Sequence, residues 1–406
     1  MENKRTPEVR LAGFSGDWEQ CKLAEVAQYS NGGSFENEVV INGKYELITL
    51  KSVDIDGNLV PSNKFINSEV STLEKDSLVM ILSEQAPGLL GKTSVIPLNN
   101  YYVLNQRVAS LTPKEETDSN FLSKAINRNG KYFSSRGAGT KVQNISKPNV
   151  ENLEIFIPKF KEQAQIGNFF KQLDDTIALH QQELTTLKQT KQGFLQKMFP
   201  KKGESVPEVR FDGFGGNWEE QKLNYFLEVS NEKNYENEFS KRDVFSVSGE
   251  YGIVNQIDFQ GRSFAGESVA NYGIVKKGYV VYTKSPLKAN PYGIIKTNNG
   301  KSGIVSTLYA VYKPKETLHP PIIEIMFEND SVINNYLRPL VNKGAKNDMK
   351  VRNEDVLKGK IRLPDIEEQI KISNFFKQLD DTIALHQREL DALKETKKAF
   401  LQKMFV

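Results

Sequence analysis

The chain has 406 residues, with 54 Lys and Arg against 51 Asp and Glu, one cysteine, and a mean hydropathy of −0.50. This length is sufficient for two or three domains, the sequence has no apolar run long enough to span a membrane, and the single cysteine rules out an internal disulfide. A net charge of +3 permits a nucleic-acid partner only through local basic patches. The N-terminal "MENKRTPEVR" lacks the apolar core of a signal peptide, so we expect a cytoplasmic protein.

Residues 1–160 are predicted to form a mixed, strand-rich domain. Runs rich in β-branched and aromatic residues indicate strands, and a short helix is expected near 118–128. The strand segments are "YELITLKSVDI", "SLVMIL", "KTSVIPL", "YYVLNQRVASL" and "LEIFIP". We expect a compact domain with a curved sheet and long loops.

The stretch "QAPGLLGKTS" (85–94) raises the question of nucleotide binding, because Ala86 to Thr93 fits a loose phosphate-loop pattern. A phosphate loop requires a helix that starts at its Lys-Thr end. Here the following "SVIPLNNYYVL" has β-branched residues, Pro97 and an Asn-Asn turn. It predicts strand, turn and strand, so NTP binding is the disfavoured alternative.

Residues 161–199 are predicted to form one long helix, and its apolar period from Ile166 to Met198 covers about 33 residues, or roughly 50 Å at 1.5 Å per residue. Mainly apolar residues alternate at spacings of four and three, which is typical of a coiled-coil seam. The seam comprises Ile166, Phe170, Leu173, Ile177, His180, Leu184, Leu187, Lys191, Phe194 and Met198. We interpret His180 as a polar residue that fixes register, with a metal or pH-sensing role as the alternative, and expect Lys191 to snorkel out of the seam.

A polar linker at 200–206 leads into a second mixed domain at 207–366, and 367–406 forms a second helix. The strands of this domain are predicted at "DVFSVS", "YGIVNQI", "YVVYT", "GIIKT", "SGIVSTLYAVYK" and "KIRLP", and its helical segment at 320–337. The second seam includes Leu379, Ile383, His386, Leu390 and Leu393.

Internal repeats determine how these parts are organised. Residues 162–199 and 368–405 are identical at 29 of 38 positions, and 7–23 and 207–223 are identical at 11 of 17. The segments between these repeats differ. Two helices with the same exposed seam can cover each other, and the long domain between them favours an antiparallel pair with a pseudo-two-fold axis.

Three enzyme-like motifs have simpler explanations. "NPYG" (290–293) lacks the second proline of the Asn-Pro-Pro-Tyr motif of adenine methyltransferases, and no glycine-rich cofactor loop accompanies it. Pro364-Asp365 with Glu395 and Lys397 has nuclease-like spacing, but the last two lie within the second helix. The acidic pairs at 174–175 and 380–381 are interpreted as solvated helix faces, with partner contact as the alternative.

The order of these parts resembles the specificity subunit of Type I restriction–modification systems over essentially the whole chain. In that family each recognition domain opens with a W-E-x-x-K-L type segment, here Trp18 to Leu23 and Trp218 to Leu223. Each closes with a glycine-containing loop, a strand and an E-Q-x-x-I helix start, here 139–166 and 344–372. The second copy has Val351-Arg352 where the first has Ile-Ser.

The resemblance implies an α+β fold, in which two target recognition domains are separated by a two-helix antiparallel coiled coil. Each domain would read one half of a bipartite asymmetric DNA site. The chain itself would be non-catalytic and carry no cofactor. Its partners would be DNA, two methyltransferase subunits with S-adenosylmethionine, and two ATP- and Mg²⁺-dependent motor–nuclease subunits. The alternative is a coiled-coil scaffold whose two domains bind proteins.

Candidate DNA contacts are loop residues with donor groups, because Arg and Lys suit phosphates and guanine while Asn suits adenine. By the resemblance, "PGLLGKTSVIPL" is a strand–loop–strand segment that approaches DNA, and its lysine would meet a phosphate. The candidates are Lys92, Arg107, Arg136, Thr140, Lys141 and Asn144 in the first domain, and Lys284, Lys288, Asn290, Tyr292, Lys346 and Asn347 in the second.

Overall fold

The computed structural model describes residues 5–84, 87–139, 142–343 and 349–406. The chain divides into two compact units. Unit 1 consists of Met1–Gln182 and Arg388–Val406, and unit 2 consists of Glu183–Gln387. Within the described ranges, none of the helices combines the length and the apolar character needed to cross a membrane.

Unit 1 is a strand-rich domain followed by the first part of a long helix. Its strands are β1 (Glu19–Lys22), β2 (Ala27–Asn31), β3 (Tyr45–Ile48), β4 (Phe65–Ile66), β5 (Leu78–Ile81), β6 (Ser83–Glu84), β7 (Thr93–Val95), β8 (Tyr102–Leu104), β9 (Val108–Pro113), β10 (Gln143–Asn144) and β11 (Glu154–Ile157). Its helices are α1 (Leu23–Val26), α2 (Ser119–Asn127), α3 (Gly130–Arg136), α4 (Lys147–Glu151) and α5 (Phe160–Lys197), the last of which continues into unit 2; a 3-10 turn covers Glu36–Glu38.

The centre of unit 1 is an antiparallel sheet with the strand order β2-β9-β5-β7. A smaller sheet, β4-β3-β8, contains the parallel pair β3–β8. The main core lies between the central sheet and helices α2, α3 and α4, where Leu78, Leu111 and Leu122 are buried. Helix α2 begins after Asp118, whose carboxylate accepts a hydrogen bond from Phe121 N at 2.8 Å. The helix predicted near 118–128 is therefore confirmed.

Unit 2 has the same plan with a different sequence. Its strands are β12 (Glu219–Lys222), β13 (Leu227–Val229), β14 (Phe245–Ser248), β15 (Gly252–Asn255), β16 (Gly273–Val275), β17 (Val280–Thr283), β18 (Ile295–Thr297), β19 (Gly303–Val305), β20 (Tyr309–Pro314), β21 (Asn342–Lys343), β22 (Met349–Lys350) and β23 (Lys360–Leu363). Its helices are α6 (Gln256–Gln260), α7 (Pro321–Met326), α8 (Asp330–Leu337), α9 (Asn353–Val356) and α10 (Ile366–Lys403), the last of which ends in unit 1; 3-10 turns cover Leu223–Tyr225 and Lys241–Asp243.

The central sheet of unit 2 has the order β13-β20-β17-β18, again antiparallel. Each strand corresponds to one strand of the unit 1 sheet in the same order. Tyr282 and Tyr312 are fully buried in its core beside Ile322 of α7. The predicted α+β class, with two repeated domains and long helices, is therefore confirmed, and the two central sheets show that the divergent blocks are themselves one fold used twice.

Each unit has a two-stranded ribbon, of which only the second strand, within "LEIFIP" or "KIRLP", was predicted from the sequence. In unit 1, β1 pairs with β11, with Glu19 opposite Ile157. In unit 2, β12 pairs with β23, with Glu219 opposite Leu363. These ribbons place the W-E-x-x-K-L segment beside the strand that leads into the long helix.

A Glu-Gln pair at the start of each long helix joins the helix to its domain. In unit 1, Arg10 donates from Nε and Nη2 to the two carboxylate oxygens of Glu162, both at 2.7 Å, and Glu162 is buried. Gln163 donates to the Pro158 carbonyl and accepts from the Asp118 amide. The second Glu-Gln pair of the repeat makes the same contacts in unit 2, with Arg210, Glu368, Gln369, Pro364 and His319.

Both long helices have 38 residues, so each spans roughly 57 Å, more than the 50 Å expected. In unit 1 the start of α5 packs against the end of α10, with the Phe169 and Phe400 ring centroids 5.1 Å apart. In unit 2 the end of α5 packs against the start of α10 through the repeat-equivalent rings, Phe194 and Phe375, at 5.0 Å. Within each unit the two helical segments therefore run antiparallel.

The seam residues lie on the inner side of these helices. Leu184 and Leu390 are 1% exposed, and the remaining predicted seam positions are buried or half-buried. His180 lies 3.9 Å from Glu389 in unit 1, and His386 lies 3.7 Å from Glu183 in unit 2. The two histidines therefore occupy equivalent positions beside a carboxylate.

Asp174 corrects the interpretation of the acidic pair at 174–175 as solvated. Its carboxylate is only 19% exposed and lies 2.6 Å from both Lys124 and Lys397. In unit 2 the repeat equivalents, Asp380 and Lys191, are also 2.6 Å apart, but the domain contributes an acid, Glu328, 2.6 Å from Lys191. Asp175 and both members of the pair at 380–381 are exposed, as predicted. In each unit an Asp and a Lys of the long helices therefore form an ion pair. A charged side chain of the domain joins this pair, Lys124 in unit 1 and Glu328 in unit 2.

Candidate nucleic-acid interface

One hairpin loop occupies the same place in both units. In unit 1 it covers 82–92, between β5 and β7, and in unit 2 it covers 284–294, between β17 and β18. Both loops contain a glycine with positive φ near their end, Gly91 at 79° and Gly293 at 91°. A side chain at Gly91 would meet Phe133 at 2.2 Å, and one at Gly293 would meet the Thr283 carbonyl at 2.1 Å. Only glycine fits these positions.

The structure answers the question raised by the phosphate-loop pattern. Strand β7 begins at Thr93, directly after Lys92, so the Lys-Thr end of the loop leads into a strand instead of a helix. The predicted strand–turn–strand arrangement is confirmed. In addition, the amides of Leu89 and Leu90 both donate to Glu84 Oε2, at 2.5 and 2.6 Å. The two backbone N–H donors that converge in this loop therefore bind the carboxylate of Glu84, a residue of the same chain.

Three segments carrying predicted contacts meet at Leu82. Its amide donates to the Arg107 carbonyl at 3.1 Å, and its carbonyl accepts from Ile145 N at 2.9 Å. Strand β6 continues this contact by pairing with β10, which ends at Asn144. The hairpin loop, the β8–β9 turn and the glycine-containing loop before α4 are thus brought together on one side of unit 1.

The predicted residues of unit 1 differ in availability. Arg107, Arg136 and Asn144 are exposed, and the Arg136 guanidinium lies 3.8 Å from the Tyr132 ring centroid. Lys92 is half-buried with its Nζ 3.4 Å from the Asn127 carbonyl, and burial lowers its pKa. Thr140 and Lys141 lie outside the described residues.

In unit 2, Lys288 is exposed at the tip of the hairpin loop, whereas Lys284 is half-buried and its pKa is lowered by burial and by the nearby Lys233. Asn290 is only 9% exposed and donates from Nδ2 to Asp330 at 2.7 Å. The Tyr292 carbonyl accepts from the Tyr282 hydroxyl at 2.7 Å. Asn290 is therefore committed to shaping the loop, and its role as a direct DNA contact remains a prediction.

Lys346 and Asn347 lie outside the described residues. The flanking strands β21 and β22 pair with each other, with Asn342 opposite Lys350.

The sequence interpretation missed the residues that hold the hairpin loops. Glu84 does so in unit 1. In unit 2, Asp330 and Asn334 lie one turn apart on α8; Asp330 accepts from Asn290, and Asn334 Nδ2 donates to the Ala289 carbonyl at 3.0 Å. No internal repeat could reveal them, because the two units use different residues from different elements.

Comparison with known proteins identifies the family. The family model of the Type I restriction modification DNA specificity domain matches the chain twice, over residues 15–189 and 216–395. The specificity subunit of the type I restriction enzyme MjaVIII of Methanocaldococcus jannaschii is 22% identical over 424 residues, covering 99% of this chain and 93% of that protein.

Two solved structures share the fold. The crystal structure of the S subunit of a Type-I restriction-modification system from M. genitalium superposes with a TM-score of 0.62 at 14% identity, over 99% of both chains. A structure described in terms of complex assembly and conformational transition of the type I R-M system gives a TM-score of 0.50 at 14% identity, over 96% of this chain and 97% of that one.

Proposed function

Because the chain belongs to the family of Type I restriction modification DNA specificity domains and contains two of them, we propose that each unit reads one half of a bipartite, asymmetric DNA site. The observation that supports this is the duplicated hairpin loop. The two units place the same glycine-closed loop on equivalent sheets, with different side chains. Equivalent position supports a shared task, and different side chains support different half-sites.

Within unit 1 we assign base contact to Asn144 and phosphate contact to Arg107, Arg136 and Lys141. Asn144 is exposed, and its Nδ2 makes only a 3.3 Å hydrogen bond to the Val142 carbonyl among the described residues, so its amide can turn toward a base. We assign Lys92 a structural role at the base of the hairpin loop. Its half-buried ammonium would have to leave the Asn127 carbonyl to contact a phosphate.

In unit 2, Lys288, Lys346 and Asn347 are assigned to DNA. Lys284, Asn290 and Tyr292 are assigned to shaping the hairpin loop that presents Lys288. These assignments refine the set of loop donors predicted from the sequence.

Catalysis is assigned to partner subunits. We propose two methyltransferase subunits that bring S-adenosylmethionine and methylate adenines, and two motor–nuclease subunits that bring ATP and Mg²⁺, working with this chain in the cytoplasm. The reported subject of one structurally similar protein, complex assembly of a type I system, supports a multi-subunit assembly. The chain itself would bind DNA and position it, and a purified chain should neither methylate DNA nor hydrolyse ATP.

The assignment can be tested by mapping adenine methylation in a host that expresses the chain with its methyltransferase partner. Asn144→Ala should relax one half of the methylated motif and leave the other half unchanged. Asn152→Ala is the matched control, because Asn152 is also exposed and also bonds a nearby carbonyl, that of Pro148, but lies outside the loops.

Two outcomes would contradict the proposal. Relaxation of both halves by Asn144→Ala would reject the division of labour between the units. Absence of any DNA binding by the assembled complex would favour a scaffold whose two domains bind proteins.

A further inference from the structure

Glu84 is a buried carboxylate at the centre of the candidate interface. It is 7% exposed, and one of its oxygens accepts from two consecutive backbone amides, those of Leu89 and Leu90. Converging amides of this kind form an anion-binding concavity. In unit 1 this concavity is filled from within the loop, so the carboxylate acts as an internal anion and fixes the path of the chain at 89–90.

The same residue belongs to the second loop of the interface. Its backbone pairs with Gln143 in the β6–β10 ladder, while Ser83 pairs with Asn144. Leu90, which donates its amide hydrogen to Glu84, also packs closely on Gly137. A side chain added at Gly137 would meet Leu90 Cδ2 at 2.9 Å. Glu84 therefore sets the relative positions of the hairpin loop and the loop that carries Asn144.

Glu84 can lie beside a surface proposed to face phosphates because its carboxylate is buried. An exposed carboxylate would repel the DNA backbone, but two amide dipoles balance the charge of Glu84 inside the protein. Its removal would leave the Leu89 and Leu90 donors without their acceptor, which favours a rearranged loop.

In unit 2, Pro286 stands at the sequence position equivalent to Glu84, yet the loop is still held by an acid. Asp330 on α8 accepts from Asn290 at 2.7 Å, and Asn334 one turn later donates to the Ala289 carbonyl. Both bonds fix the chain immediately after Lys288. In both units a carboxylate therefore holds the hairpin loop, although the two carboxylates belong to different elements.

We propose that Glu84 and Asp330 are positioning residues that set the base selectivity of the first and second half-sites, respectively. In this proposal neither residue touches a base: Glu84 fixes the hairpin loop that packs on the loop carrying Asn144, and Asp330 fixes the hairpin loop that presents Lys288. The proposal rests on the proposed function, because it requires each unit to read one half-site.

The test uses the purified complex with its methyltransferase subunits and duplexes that carry single mismatches in either half of the methylated motif. In the wild-type complex a mismatch in either half should weaken binding by about tenfold or more. Glu84→Ala should abolish most of the mismatch penalty in one half, and Asp330→Ala should do so in the other half. Glu84→Gln keeps an acceptor oxygen for both amides and should retain selectivity, which a general loss of stability would not produce.

The outcomes separate the two levels of the proposal. If the wild-type complex shows no mismatch penalty in either half, the proposed function fails. If the wild type discriminates but folded Glu84→Ala and Asp330→Ala complexes keep both penalties within twofold, the positioning role is wrong. If Glu84→Ala instead binds all duplexes more tightly with a steeper salt dependence, the vacated amides bind a DNA phosphate, and the positioning role is again rejected. Should Glu84→Ala fail to fold, Asp330→Ala, a change of an exposed residue, decides the question.

Discussion

The Arg10–Glu162 ion pair leads to a quantitative prediction about the joint between domain and helix. Glu162 is 2% exposed, whereas the Arg10 side chain is 17% exposed and also donates to the Gly16 carbonyl at 2.6 Å. Arg10→Ala leaves a buried carboxylate without its cation, which costs about 3–5 kcal/mol. Glu162→Gln leaves a guanidinium that water reaches and keeps an acceptor, so about 1–2 kcal/mol is expected.

The two single substitutions should therefore differ although they break the same ion pair. For a unit of this size, each kcal/mol lowers the melting temperature by about 2–4 °C, so Arg10→Ala should lower it by roughly 10 °C and Glu162→Gln by roughly 4 °C. The double substitution should be milder than Arg10→Ala alone, because the buried charge is absent.

Differential scanning calorimetry of the full chain and the three variants gives this cycle directly. The repeat offers a matched set in unit 2, where Arg210 and Glu368 have the same geometry. Equal costs for both single substitutions, or a double variant whose cost is the sum of the two, would refute the reasoning that an unpaired buried carboxylate dominates.

Three further predictions follow from the structure. Burial raises the pKa of Cys21 to about 11. The rate of alkylation of Cys21 should therefore be about a hundredfold lower at pH 8 than that of a free thiol, and it should rise about tenfold per pH unit up to pH 10. A fast alkylation whose rate does not depend on pH would contradict this. Lys191→Met should destabilise the chain by about 1–3 kcal/mol, because two carboxylates lose their shared cation. Lys397→Met should cost less than about 1 kcal/mol, because Asp174 keeps a second lysine. Urea unfolding of both variants measures the two costs, and a larger cost for Lys397→Met would contradict the reasoning. A fragment of residues 1–203 lacks the helix segment 388–406 that completes unit 1, and a second copy of the near-identical first helix can replace it, so light scattering should show a homodimer rather than a folded monomer.

The helices were the most predictable part of the fold, because their seam and their repetition are both visible in the sequence. The period of Ile166 to Met198 indicated a long helix, and the predicted bounds of 161–199 agree with α5 at Phe160–Lys197 to within two residues. The first turn lies before the apolar period, and the tertiary contacts of Glu162 and Gln163 fix it.

Strands β1 and β12 could not be predicted by alternation. Their sequences, "EQCK" and "EEQK", are polar, and most of their side chains are exposed. Each forms a strand because a neighbouring strand, β11 or β23, offers a ladder to pair with. Pairing between distant segments leaves no local signal in such short polar stretches.

The candidate interface was predictable as loops but not residue by residue. The glycines of "PGLLGKTS" indicated a tight loop, and Gly91 confirms it with a positive φ. Asn290 looked like a base-reading amide, yet its burial and its bond to Asp330 depend on a helix 40 residues away. Donor chemistry on a loop identifies candidates, and only the fold shows which donors are already used.

The claim that one unit reads one half-site is tested most directly by replacing residues 207–364 with a copy of 7–158. Both ranges begin with Pro-Glu-Val-Arg and end in proline, so the joint is preserved. The copied Arg10 would meet Glu368 as Arg210 does now, and the copied Lys124 would meet Asp380, which is equivalent to its present partner. With its methyltransferase partner, this chain should methylate an inverted repeat of the first half-site. Methylation of the original asymmetric motif would contradict the account.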